Sequence, residues 1–448
     1  MPPPVHRRLL DGWIEPFDLF TGISADHAFW LDAGVDARAG WSWMGIGEPC
    51  AEPDPQVAET GAAPSSDAAA DDASGPFSGG WVGWWDYDSA AERAGAAARR
   101  GAGRARGLWL RVDRVVAFDH ASRRVWAIAP APEIHAFAGE VDAWRAAAAT
   151  PAPSDASAEP PARLAAAARV EPEAYAALID RCRAAIRRGD AYQLCLTTGF
   201  SVESAAPIDP LMVFRRLRAV ASSHHAGLIR SGGRALISAS PERFLQFSRG
   251  SVRTSPIKGT RPRGTDAATD RALEVELRDS PKERAENVMI VDLMRNDLQR
   301  VCEPGTVSVE RLLEVESYTT VHQLVSSVTG RLRRGIRLSD VLRAALPAGS
   351  MTGAPKLSAM DILSDLEVSP RGVYAGCFGW IGPGGAGDLA MVIRSIVVDG
   401  ASATVGAGGG ITWHSDADAE VDEVALKARA PLAALGAELP PRWRERVR

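Results

Sequence analysis

A lone lysine, Lys258, stands between apolar Ile257 and permissive Gly259 in Ser255-Pro256-Ile257-Lys258-Gly259-Thr260-Arg261-Pro262-Arg263-Gly264. Upstream, Phe244 to Arg253 alternates loosely with Gly250 as a turn, so the lysine leaves a strand end with its amine aimed into a cleft. In a partly dry cleft, desolvation lowers the amine's pKa and frees its lone pair, which makes a nucleophile. A solvated lysine in a basic loop beside Arg261 and Arg263 fits the same residues.

Two acidic pairs carry a second kind of chemistry. Ser280-Pro281-Lys282-Glu283 reads as a helix start, with serine as N-cap, proline in the first turn and glutamate three residues after the cap. The helix runs toward Leu298 and is expected to bury Val288, Met289, Val291, Leu293 and Met294, while Glu283 and Glu286 share a face. After Ser415, another N-cap, Glu420 and Glu423 repeat the spacing, with Lys427 four residues further on. A capping box and an i,i+4 ion pair explain each acid singly, at about 0.3–0.5 kcal/mol for the pair. Facing one another across a cleft, however, four carboxylates repel unless a cation sits among them. Oxygen ligands without His or Cys select Mg²⁺.

Anion-binding groups follow. Leu389 to Val398 reads as one strand carrying Arg394, then Asp399-Gly400 turns into Val405-Gly406-Ala407-Gly408-Gly409-Gly410-Ile411. Glycine amides at 408–410 offer N–H donors with no side chain in the way, and a guanidinium takes a carboxylate with two prongs. Ser240-Pro241-Glu242-Arg243-Phe244 ends another strand, and a partly buried Glu242 near an anion has a raised pKa.

These groups need a large scaffold. With 448 residues, 24% charged and 46% hydrophobic, the chain has the size and composition of a two-subdomain globular protein. Lys+Arg 51 against Asp+Glu 56 argues against nucleic-acid binding, so the clusters Arg99, Arg100, Arg104, Arg106 and Arg331 to Arg337 read as solvated faces. No apolar run approaches the ~18 residues of a membrane span, and Arg7-Arg8-Leu9-Leu10-Asp11 interrupts any signal core, so no membrane association and a cytoplasmic location are expected. Five widely spaced cysteines without a C-x-x-C pair read as core fillers.

The order of elements is an α/β (α+β) one, rich in antiparallel strands. Residues 1–145 form a first subdomain, with an aromatic strand at His27 to Leu31, a disordered insertion at 51–76, an aromatic-glycine stretch at Gly79 to Tyr87 and a hairpin of 108–118 with 124–129. An Ala/Pro-rich linker spans 146–168, a second domain 169–437 and a tail 438–448. Pro172 to Arg188 has helical spacing closed by Gly189-Asp190, and Tyr192 to Thr197 follows as a strand. No glycine-rich phosphate loop stands at a strand-to-helix turn, so nucleotide use is not indicated.

Together these motifs resemble the signature of the chorismate-utilising enzymes, the family of anthranilate, isochorismate and aminodeoxychorismate synthases. The resemblance runs from about Val170 to Leu435 and is weaker over the first 130 residues. It includes Asp292 to Asp297, His322 to Ser326 and Gly349 to Lys356. It implies the chorismate-binding fold, a large antiparallel sandwich with surrounding helices. Lysine at 258, where anthranilate synthases typically carry alanine, resembles the aminodeoxychorismate branch; Gln193, where isochorismate synthases carry a water-activating lysine, agrees.

The resemblance implies roles residue by residue. Glu286 and Glu423 match the closest Mg²⁺ ligands, and Glu283 and Glu420 match flanking ones. Arg394 with Gly408, Gly409 and Gly410 would bind the enolpyruvyl carboxylate while the metal takes the ring carboxylate. Thr260, His322 and Lys427 are further substrate-binding positions, and Trp380 stands where a tyrosine near the substrate is usual. Ala348 replaces a common glycine, and Leu9-Leu10-Asp11-Gly12 loses the acid and serine of the tryptophan-binding motif.

In the implied reaction an uncharged Lys258 attacks C2 of chorismate while Glu242 protonates the departing C4 hydroxyl. Ammonia then adds at C4 and expels the lysine, giving 4-amino-4-deoxychorismate on the para-aminobenzoate and folate route. No cysteine lies in a nucleophile elbow, so a separate glutamine amidotransferase subunit is expected to supply the ammonia. Anthranilate synthase component I and a non-catalytic aromatic-acid sensor are the alternatives.

Overall fold

The computed structural model describes residues 4–446 except 36, 59–74, 97–106, 150–163, 222 and 319–320. Most of the expected 51–76 insertion and 146–168 linker, and the Arg99–Arg106 cluster, lie outside the described residues.

Among the described residues a 13-stranded sheet and a 10-stranded sheet hold nearly all strands. Alternation along single strands shows how they stack. Ala28 and Trp30 point to one apolar cluster, under the helices Pro172–Arg188, Pro210–Val220 and Ala417–Ala434. Phe29 and Leu31 point to another, shared with Val82, Trp84 and Phe378 of the second sheet. The period-2 pattern therefore makes a sandwich with helices on its outer face.

The two expected subdomains share both sheets. In the larger one, Ala28–Asp32 pairs with His225–Ser231; in the smaller, Gly80–Trp85 pairs with Cys377–Ile381. The boundary near 146–168 thus separates stretches of chain, not sheets. The expected hairpin is also different: Leu108–Val112 belongs to the small sheet and Val115–Asp119 to the large one, where it pairs with Arg124–Pro130. At the start of the expected insertion, Asp54 bonds Arg337 and Val57 is buried. Leu164–Ala168, within the expected linker, is a strand. In the tail, Trp443 is fully buried against Tyr175 and Phe200.

Local rules hold where they are local. Pro172 opens its helix, and Gly189 closes it at φ 84. Ser280 caps Pro281–Gln299 through the Glu283 N–H. That helix, however, turns Asn287, Ile290, Val291, Met294 and Leu298 inward and leaves Val288 45% exposed. Asn287 tolerates burial because its amide is satisfied by the Leu324 carbonyl at 3.1 Å and the Ser326 hydroxyl at 2.5 Å. The last long helix, Ala417–Ala434, is capped by Asp416 rather than Ser415. All five cysteines are free thiols, and four of them are buried.

Candidate active site

The floor of the site is built where the two sheets meet. Strand Gln193–Glu203 pairs with the glycine strand Ser402–Ile411, with Cys195 opposite Gly410 and Thr197 opposite Gly408. A Cβ on Gly410 would run into the Gln193 amide nitrogen and come within 3.4 Å of Lys258 Nζ. A side chain here would have to push aside the Gln193 amide, which reaches in from the neighbouring strand. Gln193 is 1% exposed, and neither of its amide atoms has a partner among the described residues.

Lys258 sits in a β-bulge of strand Ile257–Pro262. The register against Val321–Arg331 shifts between Ile257 and Thr260, with Gly259 at φ 88. The extra residue re-aims the lysine toward the large sheet. Its side chain is 17% exposed and lies 4.0 Å from Glu286. Burial lowers its pKa, but Glu286, with Glu242 and Glu423 behind it, more than offsets that, and the amine lies above the ordinary lysine value. The direction is opposite to the lowered pKa expected of a nucleophilic amine.

Glu242 and Arg394 stand on two of the links by which the chain crosses between sheets. Glu242 lies between Arg234–Ser240 and Arg243–Ser248, and its carbonyl accepts the Met391 N–H at 3.0 Å. Arg394 lies between Gly387–Met391 and Ser395–Asp399, not within one strand as expected; its φ is 51, and its carbonyl accepts the Ala239 N–H at 3.2 Å. A non-glycine residue there carries backbone strain of about 1–3 kcal/mol. Burial pushes the Glu242 carboxyl up to about 7, against the pull of Lys258, the Ser350 hydroxyl and Lys427. Burial likewise lowers the Arg394 pKa, opposed by Tyr374 and Glu423. Among the described residues Arg394 makes no ion pair, which leaves a desolvated guanidinium ready for an anion.

The acidic pairs reach the same cleft. Glu286 is raised by burial, with Glu283 and Glu423 adding to the effect and Lys258 and Lys282 opposing it. Glu420 is raised by burial and then by Glu423; it accepts the Ser415 hydroxyl at 2.8 Å. Glu423 is desolvated yet ends below its ordinary value, because Lys427 stands 2.6 Å away. Lys427 also donates to the Gly408 carbonyl at 2.8 Å. Glu283 takes Arg261 at 3.3 Å. No three His, Cys, Asp or Glu side chains among the described residues converge into a cage. Each acid is instead answered by a neighbouring cation or hydroxyl.

Other expected positions fall differently. Thr260 is exposed. His322 is 1% exposed, with one ring nitrogen 2.9 Å from Asp270 and the other 2.7 Å from Ser317. Both nitrogens are thus held by the protein. Trp380 is a correction. Its ring lies 5.0 Å from Phe77 and 6.0 Å from Trp43 in the aromatic cluster between the sheets, where an indole fills the core.

The tyrosine of this cleft is Tyr374, which sequence reasoning missed. A Cβ on Gly406 would strike its ring, and burial raises its phenol pKa beside Arg394 and Arg371. Its signal was available: a tyrosine flanked by Gly372 and Gly376, ahead of a glycine strand.

Comparison with known proteins places this geometry. The profile of the family described as chorismate binding enzyme matches residues 29–433. An aminodeoxychorismate synthase of Streptomyces pristinaespiralis is 42% identical over 369 residues, 80% of this chain and 51% of the relative. The chain thus spans about half the length of that relative. Anthranilate synthase component 1 of Streptomyces coelicolor is 39% identical over 457 residues, covering 96% of this chain and 88% of the relative. The crystal structure of anthranilate synthase component I from Streptococcus pneumoniae superposes with a TM-score of 0.69 at 32% identity, over 80% of this chain and 81% of that one. Matched along most of its length and folded as these relatives are, the chain belongs to the chorismate binding enzyme family.

Proposed function

We propose that this chain is a chorismate-aminating transferase that makes 4-amino-4-deoxychorismate, the aminodeoxychorismate synthase reaction of the para-aminobenzoate and folate route. The observation that carries the reading is the meeting of the Lys258 amine and the Gln193 amide at Gly410. Glu242 holds its proton to about pH 7 on a neighbouring link. Arg394 and the glycine strand take the enolpyruvyl carboxylate. Glu242 donates its proton to the C4 oxygen, which leaves as water while the Lys258 amine, having released its extra proton to solvent, bonds to C2. Ammonia then bonds to C4, the C2–nitrogen bond breaks, and the surplus ammonium proton returns to Glu242.

The donor set suits Mg²⁺, being all oxygen, and the rise that Glu423 adds to the Glu286 pKa suits a cation beside them. Glu286 and Glu423 would hold it with Glu283 and Glu420 flanking; it would neutralise the charge that keeps Lys258 protonated and clamp the ring carboxylate. Ammonia would come from a glutamine amidotransferase subunit in a heterodimer, in the cytoplasm. No described helix is long and apolar enough to cross a membrane.

Anthranilate formation is the second reading, favoured by the full-length relative of that name. The deciding experiment incubates the purified chain with chorismate, excess ammonium and Mg²⁺ and identifies products by mass spectrometry, with and without a lyase that releases 4-aminobenzoate. The expected product is 4-amino-4-deoxychorismate, lost in Lys258→Ala. Anthranilate as product, or undiminished amination by the alanine variant, overturns the proposal.

A further inference from the structure

Beneath the floor of the site lies a buried ion pair that the reaction does not use. Helix Lys356–Leu366 ends at Glu367, and Arg371 follows four residues later. The guanidinium grips both carboxylate oxygens, at 2.9 and 2.7 Å. Two further donors go to the Met351 carbonyl at 2.6 Å and the Cys195 carbonyl at 2.8 Å. Glu367 in turn accepts the Thr197 N–H and hydroxyl, each at 2.9 Å. Arg371 also lies 4.2 Å over the Tyr87 ring, and Asp88 accepts the Gly372 N–H at 2.7 Å.

Such a pair is weak evidence for stability, because well-packed apolar residues often serve as well. What distinguishes this one is what it holds. Two residues before Cys195 is Gln193, whose unpartnered amide nitrogen fills the gap at Gly410 that Lys258 Nζ also borders. Next to Met351 is Ser350, which faces Glu242. Three residues after Arg371 is Tyr374, against Gly406. One planar fork thus fixes the spacing of three segments that come from distant parts of the chain. Lysine, with a point charge on a flexible stem, has no equivalent geometry.

We propose that Glu367 and Arg371 are positioning residues for the amination, setting the strand of Gln193 against the segments of Ser350 and Tyr374. The proposal rests on the amination reading above for its kinetic consequence alone. The test uses the full chain in a Cys50→Ser background, since Cys50 is the one exposed thiol. Glu367→Met/Arg371→Met removes both charges together, and Arg371→Lys keeps the charge while losing the fork. Both are expected to lower kcat at least tenfold while the chorismate KM stays within threefold, with folding checked by circular dichroism and thermal melting. Alkylation of Cys195, followed by peptide mapping, is expected to quicken at least tenfold in both.

A folded double variant with parental kcat and Cys195 reactivity overturns the proposal. If the double variant does not fold, Arg371→Lys decides alone, and parental kcat and labelling there overturn it equally. Should the parent fail to aminate chorismate, the functional reading falls, while the labelling still reports whether the pair holds the strand.

Discussion

The Gln193 amide nitrogen occupies the space that a side chain on Gly410 would need, and Lys258 Nζ stands 3.4 Å from that point. Three strands converge there: Gln193–Glu203, Ser402–Ile411 and Ile257–Pro262. Gly410→Ala is therefore expected to push the amide or the amine away from the floor. A misplacement of about 1 Å costs on the order of 10²-fold in rate. Steady-state kinetics with chorismate and ammonium check this, and a parental kcat would show that neither group is set by the gap.

Glu242 sets the pH dependence. The folded chain keeps its proton to about 7, whereas an unfolded one releases it near 4.5. As a proton donor it is competent below 7, so kcat/KM is expected to fall about tenfold per pH unit above that value. Glu242→Gln should abolish this limb along with most of the activity. The raised value also makes a stability claim. The benefit of the neutral buried carboxyl is whole below 4.5 and is lost as pH rises through 7, and ionisation then costs roughly 3 kcal/mol. Urea unfolding should find Glu242→Gln stabilised over the parent at pH 8 and level with it at pH 4; equal stability at both would count against a desolvated acid.

What the sequence made legible follows the range of the interactions. Ser280 as cap, Gly189 as helix stop and the i,i+3 glutamates are set within a few residues, and they stand as read. The sharing of sheets was not legible, because nothing in His27 to Leu31 says that its partner begins at His225. Arg394 read as mid-strand because apolar residues run through it, while the chain in fact changes sheets there. Trp380 is expected near the substrate and Tyr374 is not singled out, because both lie in glycine-flanked aromatic segments and only the fold says which faces the cleft. The raised pKa of Lys258 depends on Glu286, Glu242 and Glu423, carboxylates from three distant segments.

Arg394 is a desolvated cation without an ion pair among the described residues, which costs stability and suits binding. Arg394→Met, similar in bulk and apolar, is expected to unfold at a higher temperature than the parent. The same variant should bind chorismate more weakly by about 10- to 150-fold, the ~1.5–3 kcal/mol carried by hydrogen bonds to a charged group. Melting curves with and without chorismate read both effects in one experiment. A variant less stable than the parent, yet equally stabilised by chorismate, would place the guanidinium in a structural role.

The different surroundings of the two aromatics predict opposite phenotypes. Tyr374 lies against Gly406 beside Arg394, so Tyr374→Phe should leave the fold intact and remove one hydroxyl from the anion end of the cleft. A neutral hydrogen bond contributes about 0.5–1.5 kcal/mol, so the chorismate KM should rise roughly 3- to 10-fold. Trp380 is 4% exposed, packed against Phe77 and Trp43. Trp380→Phe removes one ring from that cluster and should cost about 1–3 kcal/mol of stability, short of a full truncation, with KM unchanged. Kinetics and urea unfolding on the two variants together separate the positions. A raised KM in Trp380→Phe with unchanged stability would move the substrate to the other end of the sandwich.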